Sequence, residues 1–309
     1  MKRRLLFAAA QAYQPKAPIA GRDVGWLEPP QVVHRALPAT GAGIDLALVG
    51  RVREGVLVAY RGSLPPFYAG YADGWTVLLD WLNDGLALCI EDAEFGGGVH
   101  WGFAQSARRL WADHAAGPGV RSLVDRLLAR SRQDRRSGAR LFIAGHSKGG
   151  AIANLSAMLA TKTPGWATLP ISVGTIGAAR AGDARFARAY AATRIACLRW
   201  ELTGDWVPQL PPGRDTPGPI RAFARSLVPS IAGTDWQPVG LRIAPETRVR
   251  HGRWAGSRRV LPGKGARLAE MLMPDLLKAH AICPMSGYDR LICAGEDCDH
   301  GRADSRLAA

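Results

Sequence analysis

The chain has 309 residues, 47% of them hydrophobic, which is enough for a sizeable core in one α/β domain. The net charge is +14, and such an excess attracts nucleic acid, anionic lipid or acidic substrates. The basic residues are spread along the chain and form no basic–aromatic module of a nucleic-acid-binding type, so we predict no nucleic-acid partner and keep peripheral contact with anionic lipid surfaces as a hypothesis.

The N terminus begins with a basic cluster and an apolar run, M-K-R-R-L-L-F-A-A-A. This pattern is similar to a signal peptide, although the apolar run is only about eight residues long. Leu5, Leu6, Ala9, Ala10 and Tyr13 also recur at helical spacing. We favour a first helix that packs on the domain, and we therefore expect a cytoplasmic rather than a secreted protein. No stretch reaches about 18 apolar residues, so no transmembrane segment is predicted.

Apolar runs then alternate with helical patterns, which is typical of an α/β fold. Strands are predicted over residues 44–49, 55–60, 140–144, 171–176 and 195–202. Helices are predicted over residues 103–132, with an interruption at 117–119, and over 149–162, 183–192 and 266–280. Residues 211–262 are rich in proline, glycine and arginine and show little periodicity. We interpret them as an irregular insertion or cap within a single domain that spans residues 1–309.

The five cysteines are an odd number and do not form a disulfide framework. Cys89 and Cys197 lie in apolar runs and are typical of core residues. The cysteines between residues 283 and 298 cluster near the C terminus, but their spacing matches no common zinc pattern. We therefore predict no metal site, and a disulfide between Cys293 and Cys298 stays open.

The strongest chemical signal is G-H-S-K-G at residues 145–149. It fits G-x-S-x-G, the nucleophile elbow, in which a strand leads directly into a sharp turn and a helix leads directly out. The strand and the helix predicted on either side supply this setting. Such a turn holds Ser147 in a strained backbone conformation, so its neighbours Gly145 and Gly149 must lack side chains. The N terminus of the helix also favours negative charge that develops beside the serine.

A serine hydroxyl is a weak nucleophile, so a histidine must take its proton and an acid should orient that histidine. In α/β-hydrolases the order along the chain is serine, acid, histidine. Asp205 lies in a loop just beyond a predicted strand, which is where such an acid belongs. Its competitors are Asp183, which could instead cap a helix, Asp215 and Glu201.

Three histidines lie downstream and could be the base. His251 sits in the arginine-rich insertion and His300 in the C-terminal tail, whereas His280 follows a helix and precedes an irregular segment. We choose His280 and keep the other two as alternatives. His146 lies beside the nucleophile, and we expect its side chain to pack or to form a hydrogen bond rather than to act as the base.

Acyl transfer also requires donors for the oxyanion. One candidate is the backbone N–H of Lys148, the residue after the nucleophile. The second donor should come from a loop after an earlier strand. The stretch from Val56 to Ser63 reads as a strand that ends in Arg-Gly-Ser, and Ser63 could supply both a backbone N–H and a hydroxyl.

Five segments of the chain resemble, in order, the motifs of the class 3 (fungal-type) lipases. They are residues 58–63 (V-A-Y-R-G-S), 99–103 (V-H-W-G-F), 145–150 (G-H-S-K-G-G), 175–183 (T-I-G-A-A-R-A-G-D) and 205–212 (D-W-V-P-Q-L-P-P). This ordered combination is far more specific than the elbow alone. The resemblance implies an α/β-hydrolase fold, with a mostly parallel central sheet flanked by helices and an irregular cap or excursion.

The resemblance also implies a role for each candidate residue. In the family the serine of the elbow is the nucleophile, the aspartate of D-x-V-P is the acid, and a histidine near the C terminus is the base. These residues match Ser147, Asp205 and His280. The family residue that completes the oxyanion hole matches Ser63, which would act together with the N–H of Lys148. The resemblance implies no cofactor and no metal.

The sequence departs from the family pattern at four points. Lys148 replaces the usual leucine after the nucleophile, and Ala179 replaces a usual proline. The gap between His280 and the tyrosine that follows it, Tyr288, is wider than usual. Residues 211–262 have no family counterpart that we can assign.

Residues 64–79 follow the candidate oxyanion residue, where family lipases carry a lid. The segment is rich in aromatic side chains, among them Phe67, Tyr71 and Trp75. Apolar aromatic residues on a mobile flap suit an oil or membrane interface. The alternative is an ordinary loop that packs on the domain.

The function that these features predict is hydrolysis of carboxylic esters of lipids, as in a triacylglycerol lipase or a related esterase, through an acyl-enzyme intermediate. A phospholipase A and an acyltransferase would use the same three residues. A catalytically inactive lipid-binding module on this fold is the alternative outside enzymes, and the intact serine, aspartate and histidine argue against it. The expected partner is a lipid or a small ester substrate.

Overall fold

The computed structural model describes residues 1–16, 23–36, 45–63, 88–134, 138–202, 204–227, 231, 233–244, 280, 282, 288 and 291–292. Several predictions lie outside these residues: the candidate lid over residues 64–79, the alternative bases His251 and His300, and the C-terminal cysteines. The helix predicted over residues 266–280 is described only at its last residue, His280, which is helical.

The described strands and helices alternate along the chain. The strands are β1 (Gln31–Arg35), β2 (Asp45–Val52), β3 (Gly55–Tyr60), β4 (Cys89–Asp92), β5 (Gly97–His100), β6 (Arg140–His146), β7 (Ile171–Ile176), β8 (Gly182–Asp183), β9 (Ala196–Trp200), β10 (Trp236–Gln237) and β11 (Leu241–Ile243). The helices are α1 (Lys2–Gln11), α2 (Trp101–Trp111), α3 (Val120–Gln133), α4 (Lys148–Thr161), α5 (Ala184–Ala191) and α6 (Gly218–Leu227), with a 3₁₀ turn at Val207–Gln209.

The main sheet has seven strands in the order β1-β2-β3-β6-β7-β9-β11. The first two pairings are antiparallel, and every pairing from β3 to β11 is parallel. Helices flank the sheet, so the predicted α/β fold with a mostly parallel sheet is confirmed. Each predicted strand and helix before residue 203 is present, with its ends moved by a few residues.

A second, antiparallel sheet that the sequence pattern did not predict has the order β10-β8-β5-β4. Its strands are two to four residues long, too short to show an alternating pattern. Within the insertion predicted over residues 211–262, the structure describes α6, β10 and β11. β10 joins the small sheet and β11 pairs in parallel with β9 at the edge of the main sheet, so this part of the insertion extends both sheets.

Successive apolar side chains of the main sheet point alternately to its two faces, and they form a core on each side. In β3, Val56 and Val58 face a cluster that includes the apolar sides of α2, α3 and α4, whereas Leu57 and Ala59 face a cluster with α1. Residues 5–10 of α1 are all buried. The predicted N-terminal helix is thus part of the core. No helix among the described residues is both long and apolar enough to cross a membrane.

The parallel register brings the candidate site residues to one edge of the sheet. Tyr60 of β3 pairs with Gly145 of β6, and His146 pairs with Ile176 of β7, which in turn pairs with Trp200 of β9. The loops that carry Ser63, Ser147 and Asp205 therefore leave neighbouring strands at the same level. In open α/β sheets this carboxyl edge is the usual place for a ligand site.

The packing of α1 can be tested with Leu6→Ala. Leu6 is fully buried, so we expect the substitution to lower the free energy of unfolding by about 2–5 kcal/mol, measured by urea denaturation. The matched control is Leu27→Ala, because 48% of Leu27 is exposed, and its effect should stay within about 0.5 kcal/mol. Equally small losses for both variants would contradict the placement of α1 in the core.

Candidate active site

The turn between β6 and α4 consists of Ser147 alone. Its backbone has φ 60° and ψ −132°, and no other described non-glycine residue has a positive φ. A backbone in such a sparsely populated region costs about 1–3 kcal/mol and persists only where the surroundings fix it. The Ser147 N–H donates to the carbonyl of Ile176 (3.1 Å) and its own carbonyl accepts from the N–H of Gly150 (3.0 Å).

The two outer glycines of the elbow are required because backbone segments pass directly against them. A Cβ atom at Gly145 would lie 2.1 Å from the carbonyl oxygen of Gly149. A Cβ atom at Gly149 would lie 2.3 Å from the carbonyl oxygen of Tyr60. Any side chain at either position would force the strand and the helix apart and would move Ser147.

The side chain of His280 is oriented by Asp205. Nδ1 of His280 lies 2.9 Å from Oδ2 of Asp205, and because a carboxylate only accepts, Nδ1 carries the proton. Nε2 of His280 is buried and has no hydrogen-bond partner among the described residues. With the proton on Nδ1, Nε2 carries the lone pair that can accept a hydrogen bond. Ser147 Oγ is not yet hydrogen-bonded to it, and in free enzymes such contacts often tighten only when substrate binds.

Asp205 is only 3% exposed and accepts three hydrogen bonds. Besides His280, Oδ2 accepts from the hydroxyl of Tyr288 (2.5 Å), and Oδ1 accepts from the N–H of Val207 (2.9 Å). Burial and the charge of Asp205 raise the pKa of Tyr288, so its hydroxyl stays protonated and donates. These partners hold the carboxylate in one orientation.

The three competing acids are engaged elsewhere. Asp183 caps α5, because its side chain accepts from the N–H groups of the first turn. Asp215 and Glu201 form ion pairs with arginines. Of the four acidic candidates, only Asp205 contacts a histidine within the described part of the chain.

Arg180 holds the segment that follows Asp205, a role that sequence analysis did not assign. It is 2% exposed, and all five of its side-chain N–H groups have acceptors. The acceptors are the carbonyls of Pro208 (3.1 Å) and Trp236 (2.8 Å), Oε1 of Gln209 (3.1 Å) and the two carboxylate oxygens of Asp215 (2.7 and 3.0 Å). Its place in the family-like segment 175–183 was the available signal.

Tyr13 and His146 connect the N-terminal segment to the candidate base. The Tyr13 hydroxyl lies 2.8 Å from Nδ1 of His146, and Nε2 of His146 lies 2.7 Å from the carbonyl oxygen of His280. Because a carbonyl only accepts, Nε2 of His146 carries the proton. Burial and the neighbouring His280 hold the pKa of His146 well below 6.5, so its ring is neutral and Nδ1 accepts from Tyr13.

His146 also supports the imidazole ring of His280 directly. The two rings stack with their centroids 4.5 Å apart and their planes 29° apart. Its own nitrogens are both occupied, so His146 positions the candidate base from the side and through its backbone. The sequence indicated Tyr13 only as a member of the helical pattern with Leu5 and Ala9, and no sequence pattern predicted the contact of its hydroxyl with His146.

The same hydroxyl reaches the loop after β3. Burial raises the pKa of Tyr13, and a hydrogen bond with the backbone of Gly62 opposes that rise. A Cβ atom at Gly62 would lie 2.2 Å from this hydroxyl and 2.9 Å from Cβ of Ser147. The loop therefore touches the nucleophile, and Ser63 follows it as a half-buried residue.

Lys148 is the first residue of α4. The N–H groups in the first turn of a helix have no acceptor within the helix, so the N–H next to Ser147 can face an oxyanion. The Lys148 side chain turns away to the buried carboxylate of Asp45.

No cluster of three or more metal-binding side chains occurs among the described residues. Cys197 is buried and Cys89 is half-buried.

A protein-family model matches the part of the chain that contains the elbow. Residues 72–214 fit the family model of the class 3 lipases, which confirms the resemblance that the motifs indicated. This range contains Ser147, Lys148 and Asp205, and it excludes Ser63 and His280. No curated protein matches the sequence.

Solved lipase structures share the fold. A lipase from Rhizopus microsporus var. chinensis is 18% identical with a TM-score of 0.53, over 79% of this chain and 73% of that one. The triacylglyceride lipase of Rhizomucor miehei is 21% identical with a TM-score of 0.50, over 68% and 73%. Lipase II from Rhizopus niveus is 18% identical with a TM-score of 0.51, over 79% of both chains. At these identities the likeness is one of fold alone, and it confirms the predicted α/β-hydrolase fold.

The Tyr13 hydroxyl can be tested with Tyr13→Phe. The variant leaves Nδ1 of His146 and the N–H of Gly62 without their partner, so we expect the free energy of unfolding to fall by about 1–3 kcal/mol. Activity should fall as well, because His280 and the loop of Ser63 lose a shared support. The control is Tyr190→Phe, since the Tyr190 hydroxyl bonds Asn154 in the core (3.2 Å). That variant should lose stability but keep its activity per folded molecule. If Tyr13→Phe also kept its activity per folded molecule, the Tyr13 hydroxyl would not support the active site.

Stability should depend on pH through two buried histidines. Burial and the nearby charge of Lys148 lower the pKa of His100 to about 3, and the pKa of His146 is also depressed. The unfolded chain binds these protons more readily, so stability is complete above about pH 6.5 and is lost as the pH falls towards 3. The expected slope is about 1.4 kcal/mol per pH unit for each histidine. Urea denaturation from neutral to acidic pH measures it, and His100→Gln should reduce the slope; an unchanged slope would contradict the assignment.

Proposed function

We propose that this chain, whose residues 72–214 match the family model of the class 3 lipases, cleaves carboxylic esters of lipids through an acyl-enzyme on Ser147. The observation that carries the proposal is the oriented pair of His280 and Asp205, with Nε2 of His280 left as an acceptor. The left-handed backbone of Ser147 at the same edge of the sheet supports it.

In the first half of the proposed reaction, Ser147 Oγ attacks the ester carbonyl carbon. Nε2 of His280 takes the hydroxyl proton, and the resulting imidazolium is stabilised by the carboxylate of Asp205. The carbonyl oxygen becomes an oxyanion, which the N–H groups of Ser63 and Lys148 stabilise. The bond from carbon to the leaving oxygen then breaks, and His280 returns the proton to the alcohol that departs.

In the second half, water replaces the alcohol. His280 removes a proton from the water as it attacks the acyl carbon, and a second oxyanion forms in the same place. Its collapse breaks the bond to Ser147, which regains its proton from His280. The products are a carboxylic acid and the free enzyme.

We propose lipid esters as the substrates, with triacylglycerols as the first class to test. The similar Rhizomucor miehei enzyme is a triacylglyceride lipase. The net charge of +14 supports peripheral contact with anionic lipid surfaces, because such a charge attracts the protein to them and salt weakens that attraction.

The test is a hydrolysis panel of p-nitrophenyl esters, triacylglycerols and phospholipids. Wild type should hydrolyse at least one class, and Ser147→Ala should abolish that activity while it remains folded. His280→Ala should lower kcat by about 10³-fold or more, because the members of such a triad act as a unit. A fluorophosphonate probe should label Ser147 in the wild type only.

The control is Ser122→Ala on α3, which should keep both activity and labelling. A folded Ser147→Ala variant with wild-type activity would overturn the mechanism. Labelling without hydrolysis of any ester, but with ester formation when an alcohol is added, would instead identify an acyltransferase.

A further inference from the structure

A buried charge cluster lies directly behind the candidate oxyanion site. The carboxylate of Asp45, whose side chain is completely buried, accepts from Lys148 Nζ (3.1 Å) and from Nε (3.0 Å) and Nη2 (2.7 Å) of Arg109. We refer to Asp45, Lys148 and Arg109 as the Lys148 cluster.

The Lys148 cluster joins the two chain segments that offer oxyanion donors. Lys148 opens α4 immediately after the nucleophile. Asp45 opens β2, and the next residue, Leu46, accepts a hydrogen bond from the backbone N–H of Arg61 (3.0 Å). Arg61 is followed by Gly62 and Ser63, so the ion pair of Lys148 with Asp45 ties the start of α4 to the strand beside the Ser63 loop.

Stability alone does not explain this lysine. An ion pair in the interior is expensive to desolvate, and apolar residues of similar volume often replace it at no cost. The class 3 lipases that the sequence resembles carry leucine at this position. Arg109 already gives Oδ2 of Asp45 two hydrogen bonds, so the carboxylate keeps a charged partner without Lys148, which donates to Oδ1.

The charges of the Lys148 cluster do not cancel. Two cations, Lys148 and Arg109, face one carboxylate, and His100, which also lies within the field of Lys148, is neutral near pH 7 because its pKa is about 3. An excess of positive charge in a water-poor region acts strongly on nearby charge, since little solvent screens it. The charge that develops nearest to it in the proposed reaction is the oxyanion.

We propose that Lys148 is a positioning residue for the oxyanion hole: its ion pair with Asp45 fixes its own backbone N–H relative to Ser63, and the cluster places net positive charge behind both donors. The inference rests on the proposed function. It assigns to the side chain of Lys148 a role that acts in the transition state and leaves the binding of the neutral ester unchanged.

The test is Lys148→Met, which keeps an unbranched side chain and leaves Asp45 with Arg109. We expect kcat on a neutral soluble ester to fall about tenfold with KM unchanged, a smaller loss than the 10²–10³ of a missing oxyanion donor. Phenylboronic acid forms an anionic tetrahedral adduct on a reactive serine, so its affinity should fall by a similar factor. Lys148→Arg keeps the cation and should recover most of both losses.

The matched control is Lys162→Met, which removes the lysine just beyond the other end of α4, where Nζ faces backbone carbonyls of residues 93 and 94. It should leave kcat, KM and inhibitor affinity unchanged. Urea denaturation and fluorophosphonate labelling establish that each variant is folded.

Three results would overturn the inference. One is a folded Lys148→Met variant with wild-type kcat. Another is a loss confined to KM on anionic phospholipids, which would make Lys148 a head-group contact. The third is lower kcat with unchanged boronic acid affinity, which would separate Lys148 from the oxyanion. An inactive wild type that no ester or probe engages would instead refute the proposed function.

Discussion

The backbone of Ser147 is the constraint on which the rest of the site depends. A non-glycine residue at φ 60° relaxes unless both sides of the turn are fixed, and here the two sides are a central strand and a buried helix. Gly145 and Gly149 allow those elements to approach each other and the strand beside them. Packing of the sheet against the helix therefore stabilises a strained backbone conformation at Ser147. That conformation directs its hydroxyl to the edge of the sheet where the loops meet.

The loops around the elbow are held by polar side chains that are themselves fully engaged. Tyr13 joins the Ser63 loop to His146, and His146 joins the elbow to His280. Arg180 fastens the segment beyond Asp205 with all five of its donors. His146 and Arg180 are buried and Tyr13 is partly buried, so loss of one partner leaves another unsatisfied, and the arrangement has few alternative geometries.

Local patterns predicted the centre of the fold well. The strand, elbow and helix around Ser147 are consecutive in sequence, and their apolar runs and glycines carry enough information on their own. The choice of Asp205 used the same local logic, a carboxylate just beyond a strand. The short strands β8 and β10 were not predicted, because two residues cannot show a period. The roles of Tyr13 and Asp45 were not predicted for another reason: their contacts with His146 and Lys148 join residues more than 100 positions apart, and no spacing rule connects positions so distant.

The position of α1 has a consequence for the time at which the site is completed. Its apolar face rests on β3, β6 and β7, strands that are translated long after it. At about 5–20 residues per second, the roughly 165 residues between the end of α1 and the end of β7 take on the order of 10–30 s to synthesise. During that interval the sheet that α1 covers is incomplete, and His146, the partner of the Tyr13 hydroxyl, is made only towards its end. The helix α1 and Tyr13 thus take their final place only after the strands that receive them, which follow them in the chain, have been made.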